Sequence, residues 1–299
     1  MDAQADLEFK NDAAFEIVAP GQALIPLVLA SPHSGTRYAP AFLAAARLSS
    51  HALRKSEDSF VDEIFDGSRQ CGAPLIKALF PRAFVDANRE AFELDPEMFV
   101  DALPAYVNSR SPRVLAGLGT VARIVGTGQE IYREKLRFAD VLQRINQTYH
   151  PYHRALQTLI EQTRQGFGTC LLIDCHSMPS NRGLGDPDPA HFGRADFVLG
   201  DCYGTACATP IIDAAENILE RCGYRVMRNT PYAGGFTTRH YGRPRHGVHA
   251  LQIEINRELY MDEATLVRKP FLDTLRHQMT ALITALGGTM HRLLRPPSR

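Results

Sequence analysis

Between Gly168 and Ser177 the chain reads G-T-C-L-L-I-D-C-H-S. The apolar run from Cys170 to Ile173 is continuous rather than alternating, as expected of a strand covered on both faces. Such a strand points to an α/β protein with helices on both sides of its sheet. Gly166 and Gly168 supply the turn into it. Asp174, His176 and Ser177 then fall at its carboxyl end, where ligands bind in open α/β sheets. A histidine delivered there, with an aspartate two residues behind it, suits a metal ligand or a general base. A lone histidine can equally be a satisfied structural residue, so this segment has to be weighed with the rest of the chain.

The 299 residues fit one large α/β domain, expected to span 1–299 with its core at about 14–290, or two small ones. Lys and Arg total 33 against 33 Asp and Glu, so there is no electrostatic case for nucleic acid or an anionic membrane surface as partner. No apolar run reaches the roughly 18 residues that a membrane span requires. The opening M-D-A-Q-A-D-L-E-F-K is polar and acidic, unlike a secretory signal, and a cytoplasmic protein is expected. Six cysteines, Cys71, Cys170, Cys175, Cys202, Cys207 and Cys222, form no C-x-x-C pair and read as reduced, mostly buried thiols. Cys175 beside His176 resembles a nucleophile and its base, but adjacent strand residues point to opposite faces.

Phe15–Val18 and Ile25–Ala30 read as strands, with Pro20 and Gly21 turning between them. Ser31-Pro32-His33-Ser34-Gly35 follows as a second polar strand end carrying a histidine. Helices are expected over 41–47 and 58–69, the second with Ser56 as N-cap and Asp58 in its first turn. Leu75–Phe80 and Ala83–Val85 read as strands, the latter ending in Asp86-Ala87-Asn88-Arg89. Residues 90–120 read as a surface excursion and 121–125 as a short strand. A long helical region is expected over 131–165, interrupted at Pro151. His150 and His153 flank that proline at H-x-x-H spacing, which fits either a metal on a helix face or a supporting structural role. Residues 181–194 read as a loop, 211–222 as a helix and 224–228 as a strand. Tyr232–Gly242 reads as a glycine- and threonine-rich loop around Arg239, suited to an anionic group. In the strand 248–255, alternation sets Ala250, Gln252 and Glu254 against His249, Leu251, Ile253 and Ile255. A carboxylate in such a strand is costly without a partner. An amphipathic helix over 262–286 and a basic tail close the chain.

Two histidines, His33 and His176, one carboxylate and a separate Glu254 are the parts of a hydrolytic zinc site. Asp58 is the first choice for the carboxylate ligand, with Glu57 as the near alternative and a helix-capping role for Asp58 as the other reading. Zinc is favoured by two imidazoles and one carboxylate, although other divalent metals suit the same donors. Glu254 would take a proton from water and pass it to the leaving nitrogen. Arg89, Asn88 and Arg239 would hold a substrate carboxylate, a task that suits the guanidinium fork. The proposed ligands lie far apart in sequence and match no local metal motif.

Ser31-Pro32-His33-Ser34-Gly35, Asp58-x-x-Val61-Asp62, Arg82-x-x-x-Asp86-x-Asn88-Arg89 and Asp174-x-His176-Ser177 occur in the order seen in the N-formylglutamate amidohydrolase family. The opening F-E-I-V-A-P with P-L-V-L-A-S-P-H-S-G is also similar to that family, and the resemblance covers about residues 14–265. It implies distant kinship with zinc carboxypeptidases and aspartoacylases, and a mixed, mostly parallel eight-stranded sheet sandwiched between helices. It implies His33 and His176 as ligands of Zn²⁺, with the carboxylate ligand left to the choice of Asp58 over Glu57, Glu254 as the catalytic glutamate, and Arg82, Asn88 and Arg89 at the substrate. The first carboxypeptidase motif, H-x-x-E, is not kept, since Thr36 stands three residues after His33. The implied activity is hydrolysis of N-formyl-L-glutamate to formate and L-glutamate, late in histidine breakdown. A carboxypeptidase-like enzyme or another N-acyl amino acid deacylase is the enzymatic alternative. A metal-free carboxylate-binding protein, using Arg89 and Arg239 without catalysis, is the alternative outside enzymes.

Overall fold

The computed structural model describes residues 14–126, 128–180 and 195–293. Seven strands, β1 Phe15–Val18, β2 Leu27–Ser31, β3 Leu75–Ala78, β4 Cys170–Met178, β5 Phe197–Gly200, β6 Val226–Arg228 and β7 Val248–Asn256, form one sheet in the order β1-β3-β2-β4-β7-β5-β6. A two-stranded ribbon, β8 Met261–Asp262 with β9 Val267–Arg268, stands apart. The helices are α1 Pro40–Ala45, α2 Ser50–Arg54, α3 Val61–Ile64, α4 Pro112–Leu115, α5 Phe138–Arg144, α6 His150–Phe167, α7 Thr209–Arg221, α8 Phe236–Tyr241 and α9 Phe271–Leu293. The chain divides into two compact units. One takes Pro32–Ser59 and Lys77–Ala155, the other Ile17–Ser31, Phe60–Ile76 and the chain from Leu156.

The sheet is mixed and mostly parallel: β2 pairs with β4, β4 with β7 and β5 with β6 in parallel, and β5 with β7 antiparallel. The main sheet has seven strands among the described residues, where the resemblance implied eight. The two faces of β4 and β7 carry different chemistry. Leu171, Ile173 and Cys175, with Leu251, Ile253 and Ile255, are buried in an apolar cluster that also takes residues of α3, α7 and α9. Burying each large aliphatic side chain there contributes roughly 1.5–3 kcal/mol. The opposite face carries Asp174, His176, Gln252 and Glu254, all buried, with α8 packed over it. Period-2 geometry therefore gives one strand both a core and a polar surface.

Several local expectations are corrected. The 58–69 helix shrinks to α3 and a 3₁₀ turn at Asp66–Arg69, because Phe60 adopts φ 68° and a left-handed residue cannot sit in a right-handed helix. Ser56 caps nothing there; its hydroxyl donates to the Leu53 carbonyl. Residues 83–85 are buried in a turn rather than a strand. The 90–120 stretch is not a plain surface excursion, since Glu93, Leu94, Phe99, Val114 and Thr120 are buried. Residues 121–125 contribute an isolated bridge, Ile124 to Glu130, and no strand. The long helix begins at Phe138, and Pro151 does not break it. A π-helical turn, Ile145–Tyr149, precedes the proline, and such a turn accommodates a break in the i to i−4 bonding pattern. The expected loop at Tyr232–Gly242 contains α8. The C-terminal helix starts at Phe271, after Pro270, where proline suits a helix entry better than its interior. The loop expected at 181–194 lies outside the described residues.

Candidate active site

His33 follows β2 by two residues, and Ala30 pairs with Asp174 in the parallel register of β2 and β4. Local bonding then fixes the loop. Asp58 N–H donates to the His33 carbonyl at 3.0 Å, and the Ser34 hydroxyl donates to the Asp58 carbonyl at 3.0 Å. Gly35 is required for packing: a Cβ there would run into the Phe80 carbonyl oxygen. The two segments are thereby laced together, and the Asp58 carboxylate oxygen Oδ2 stands 3.3 Å from His33 Nδ1.

The other imidazole nitrogen, Nε2, lies 2.7 Å from Asp86 Oδ1. Asp86 is the nearer of the two carboxylates, and in the tautomer with the proton on Nε2 toward it the Nδ1 lone pair faces Asp58. In that tautomer the two lone pairs, 3.3 Å apart, suit a cation held between them. His176 supplies a third donor: the ligand atoms of His33, Asp58 and His176 all lie within 4.8 Å of one another, and all three residues are buried. A tetrahedral zinc ion with ligands at about 2.0–2.2 Å spaces them roughly 3.3–3.6 Å apart, so the His33–Asp58 separation fits and the donor types match. Among the described residues this is the group of three or more such side chains that could hold a metal ion. Glu57 does not compete for the carboxylate position. It accepts from Tyr38 Oη at 2.7 Å, Arg54 Nε at 3.1 Å and Ser59 Oγ at 3.1 Å, and burial raises its pKa against those three bonds. Nor does Asp58 cap a helix, since the N-cap of α3 is Phe60.

Asp86 is the residue that sequence reasoning left without a role. Besides His33 it accepts from Arg82 Nε at 3.0 Å and from the Asn88 backbone N–H at 2.8 Å, with Arg89 Nε 3.8 Å away. Burial by itself would raise its carboxyl. Arg89, His33 and Arg82 outweigh burial and hold it well below the usual carboxylate range. It is thus a fixed anion behind an imidazole, the arrangement that orients a metal-ligating histidine and raises its basicity. The signal was the first letter of D-x-N-R, which faces the histidine while the later letters were read for substrate. His176 also has an aspartate beside it, Asp174 Oδ1 at 2.9 Å from Nε2 but off the line of a straight hydrogen bond, and Asp174 Oδ2 accepts from Thr238 Oγ1 at 3.2 Å.

Glu254 is the register partner of His176 on the neighbouring strand and is buried on the same polar face. Its Oε1 accepts from Gln252 Nε2 at 2.9 Å, and Gln252 Oε1 in turn accepts from the Gly235 N–H at 2.6 Å. The second bond settles which way the Gln252 amide faces, and the first orients the carboxylate. The guanidinium groups differ in their commitments. Arg82 is turned onto Asp86. Arg89 is nearly buried, donates from Nε to the Leu118 carbonyl and from Nη1 to the Asn88 carbonyl, and has its pKa lowered by burial, against the pull of Asp86, to about 10. Arg239 is exposed on α8 and reaches the Gly234 carbonyl at 3.4 Å. Cys175 lies in the apolar cluster behind the polar face, where burial pushes its thiol well above its ordinary range, which removes it as a nucleophile.

The H-x-x-H pair is occupied elsewhere. His153 Nε2 donates to the Ala87 carbonyl at 2.9 Å, and His150 packs against the rings of Phe92 and Tyr149.

The family model described as N-formylglutamate amidohydrolase matches residues 25–261. The chain is similar to the N-formylglutamate deformylase of Pseudomonas aeruginosa, 29% identical over 253 residues, covering 83% of this chain and 86% of that protein. It is 27% identical to the N-formylglutamate deformylase of Pseudomonas putida over 245 residues, 81% and 84% of the two chains. A solved N-formylglutamate amidohydrolase from Ralstonia eutropha JMP134 superposes with a TM-score of 0.87 at 36% identity, covering 95% of this chain and all of that one. A gene product of Agrobacterium tumefaciens shares the fold, with a TM-score of 0.67 at 17% identity over 95% and 97% of the two chains.

Proposed function

The chain belongs to the N-formylglutamate amidohydrolase family, and from that premise we propose that it is a metal-dependent amidohydrolase that cleaves N-formyl-L-glutamate to formate and L-glutamate. Both Pseudomonas relatives carry the name of that deformylase, which supports the substrate. The observation that carries the reading is the buried His33, Asp58 and His176 group, with a carboxylate set beside Nε2 of each imidazole.

His33, Asp58 and His176 would hold the ion, with zinc favoured by the donor set. When bound, it would supply the positive charge that polarises the formyl carbonyl and acidifies water. Asp86 keeps the His33 proton on Nε2 and so keeps Nδ1 available as a donor. Glu254, oriented by Gln252, takes a proton from the attacking water and delivers it to the nitrogen of the breaking C–N bond. The water oxygen ends on the formyl carbon, and the amine leaves as glutamate. Arg89 and Asn88 would receive a substrate carboxylate, with Arg239 reaching it from α8. Arg82 is assigned chiefly to holding Asp86 in its ionised form.

Formate release measured across a panel of N-acyl amino acids, with and without a chelator, tests this. Chelator-sensitive turnover, highest for N-formyl-L-glutamate, is expected. Preference for another acyl group would move the assignment to a different deacylase. Tight carboxylate binding with no turnover and no metal would make the protein a binder.

A further inference from the structure

The turn from Asp86 to Arg89 carries two functional groups on four residues, the anion behind His33 and the guanidinium assigned to substrate. Its backbone is held from one helix face. Tyr149 Oη donates to the Arg89 carbonyl at 2.8 Å, and His153 Nε2 donates to the Ala87 carbonyl at 2.9 Å. A carbonyl only accepts, so the His153 proton is on Nε2. Tyr149 closes the π-helical turn and His153 stands four residues on, so the two side chains lie on one face. Their rings sit 4.2 Å apart, with Tyr152 edge-on to His153 at 5.4 Å and Phe80 edge-on to Tyr152 at 6.3 Å. Tyr149 is 4% and His153 9% exposed, which leaves little room for either side chain to adopt another rotamer.

We propose that Tyr149 and His153 are positioning residues: they brace the 86–89 turn, and one brace sets both the grip of Asp86 on His33 and the aim of Arg89. His153 thus serves the metal ligand through the turn, while His150, the other histidine beside Pro151, packs on aromatic rings. The two carbonyls, two residues apart, are caught by donors four residues apart on a helix. A slack brace frees the turn at both ends, so Asp86 and Arg89 are disturbed together. A purely packing role would disturb neither once the protein is folded.

This inference rests on the reading of His33 as a metal ligand, and the experiment separates the two. Zinc dissociation into a competing chelator, KM, kcat and thermal midpoint are measured for the wild type, Tyr149→Phe, His153→Leu and His153→Gln. Tyr149→Phe removes one oxygen and keeps the ring, so it preserves folding where His153→Leu fails. His153→Leu and Tyr149→Phe are expected to speed zinc loss by about tenfold, the low end for residues outside the ligand shell, and to raise KM several-fold in parallel. His153→Gln, which keeps a donor of similar reach, is expected to restore most of both. Folded Tyr149→Phe and His153→Leu proteins with wild-type zinc loss and KM would overturn the brace. So would a folded His153→Gln protein no better than His153→Leu. A wild-type protein that takes up no zinc would instead defeat the metal reading on which the brace stands.

Discussion

Two pairs of histidines, His33 with His176 and His150 with His153, occupy this molecule in opposite ways. His150 and His153 are three residues apart on one helix and look like a metal motif, yet one packs on aromatic rings and the other donates to a backbone carbonyl. His33 and His176 are remote in the chain and match no local metal motif, yet each has an aspartate beside Nε2. The difference lies in the partner of the ring nitrogen. A neutral carbonyl fixes a ring in place. A carboxylate also makes the opposite nitrogen a better donor, and Asp86 is held ionised by Arg89, His33 and Arg82. Spacing along a helix shows only that two rings can meet; the group behind each ring decides what they meet for.

The largest effect should come from the remote pair. His176→Ala is expected to leave the protein without stoichiometric zinc and without measurable formate release, as read by metal analysis and a coupled assay. Next, Glu254→Gln should keep its zinc and lose roughly 10²–10⁴-fold in kcat, the range for a general acid–base group. A loss of only a few-fold would take the proton-transfer role from Glu254. Asp86→Asn sharpens the contrast between carboxylate and neutral partners. It keeps the shape and removes the charge, so zinc affinity should fall by about 10–100-fold with the fold retained. Unchanged affinity would reduce Asp86 to a structural hydrogen-bond acceptor. The smallest effect should come from His150, the member of the near pair that braces nothing: His150→Gln is expected to leave zinc content and turnover within about twofold, since no ligand atom of His150 joins the group of donors.

Much of the site was legible because it sits on regular strands. The continuous apolar run before Asp174 and the alternation around Glu254 both predicted which side chains share a face, and the parallel register of β4 with β7 sets His176 beside Glu254. What was not legible depended on single backbone angles and remote contacts. Phe60 at φ 68° stops the helix expected from residue 58 and so removes Asp58 from a capping role, and no local propensity marks a phenylalanine for that conformation. Glu57 and Asp58 are adjacent acids that the sequence does not rank. Tyr38, Arg54 and Ser59 engage the first, which leaves the second beside His33. Asp86 belongs to the D-x-N-R motif, but that it faces His33, across 53 residues, is set by the fold and not by local spacing.

The most direct measurement is an anomalous-difference map collected at the zinc edge from crystals grown with the metal. One peak bonded to His33, Asp58 and His176 is the predicted result. An empty centre there, or a peak between His150 and His153 instead, would contradict the account.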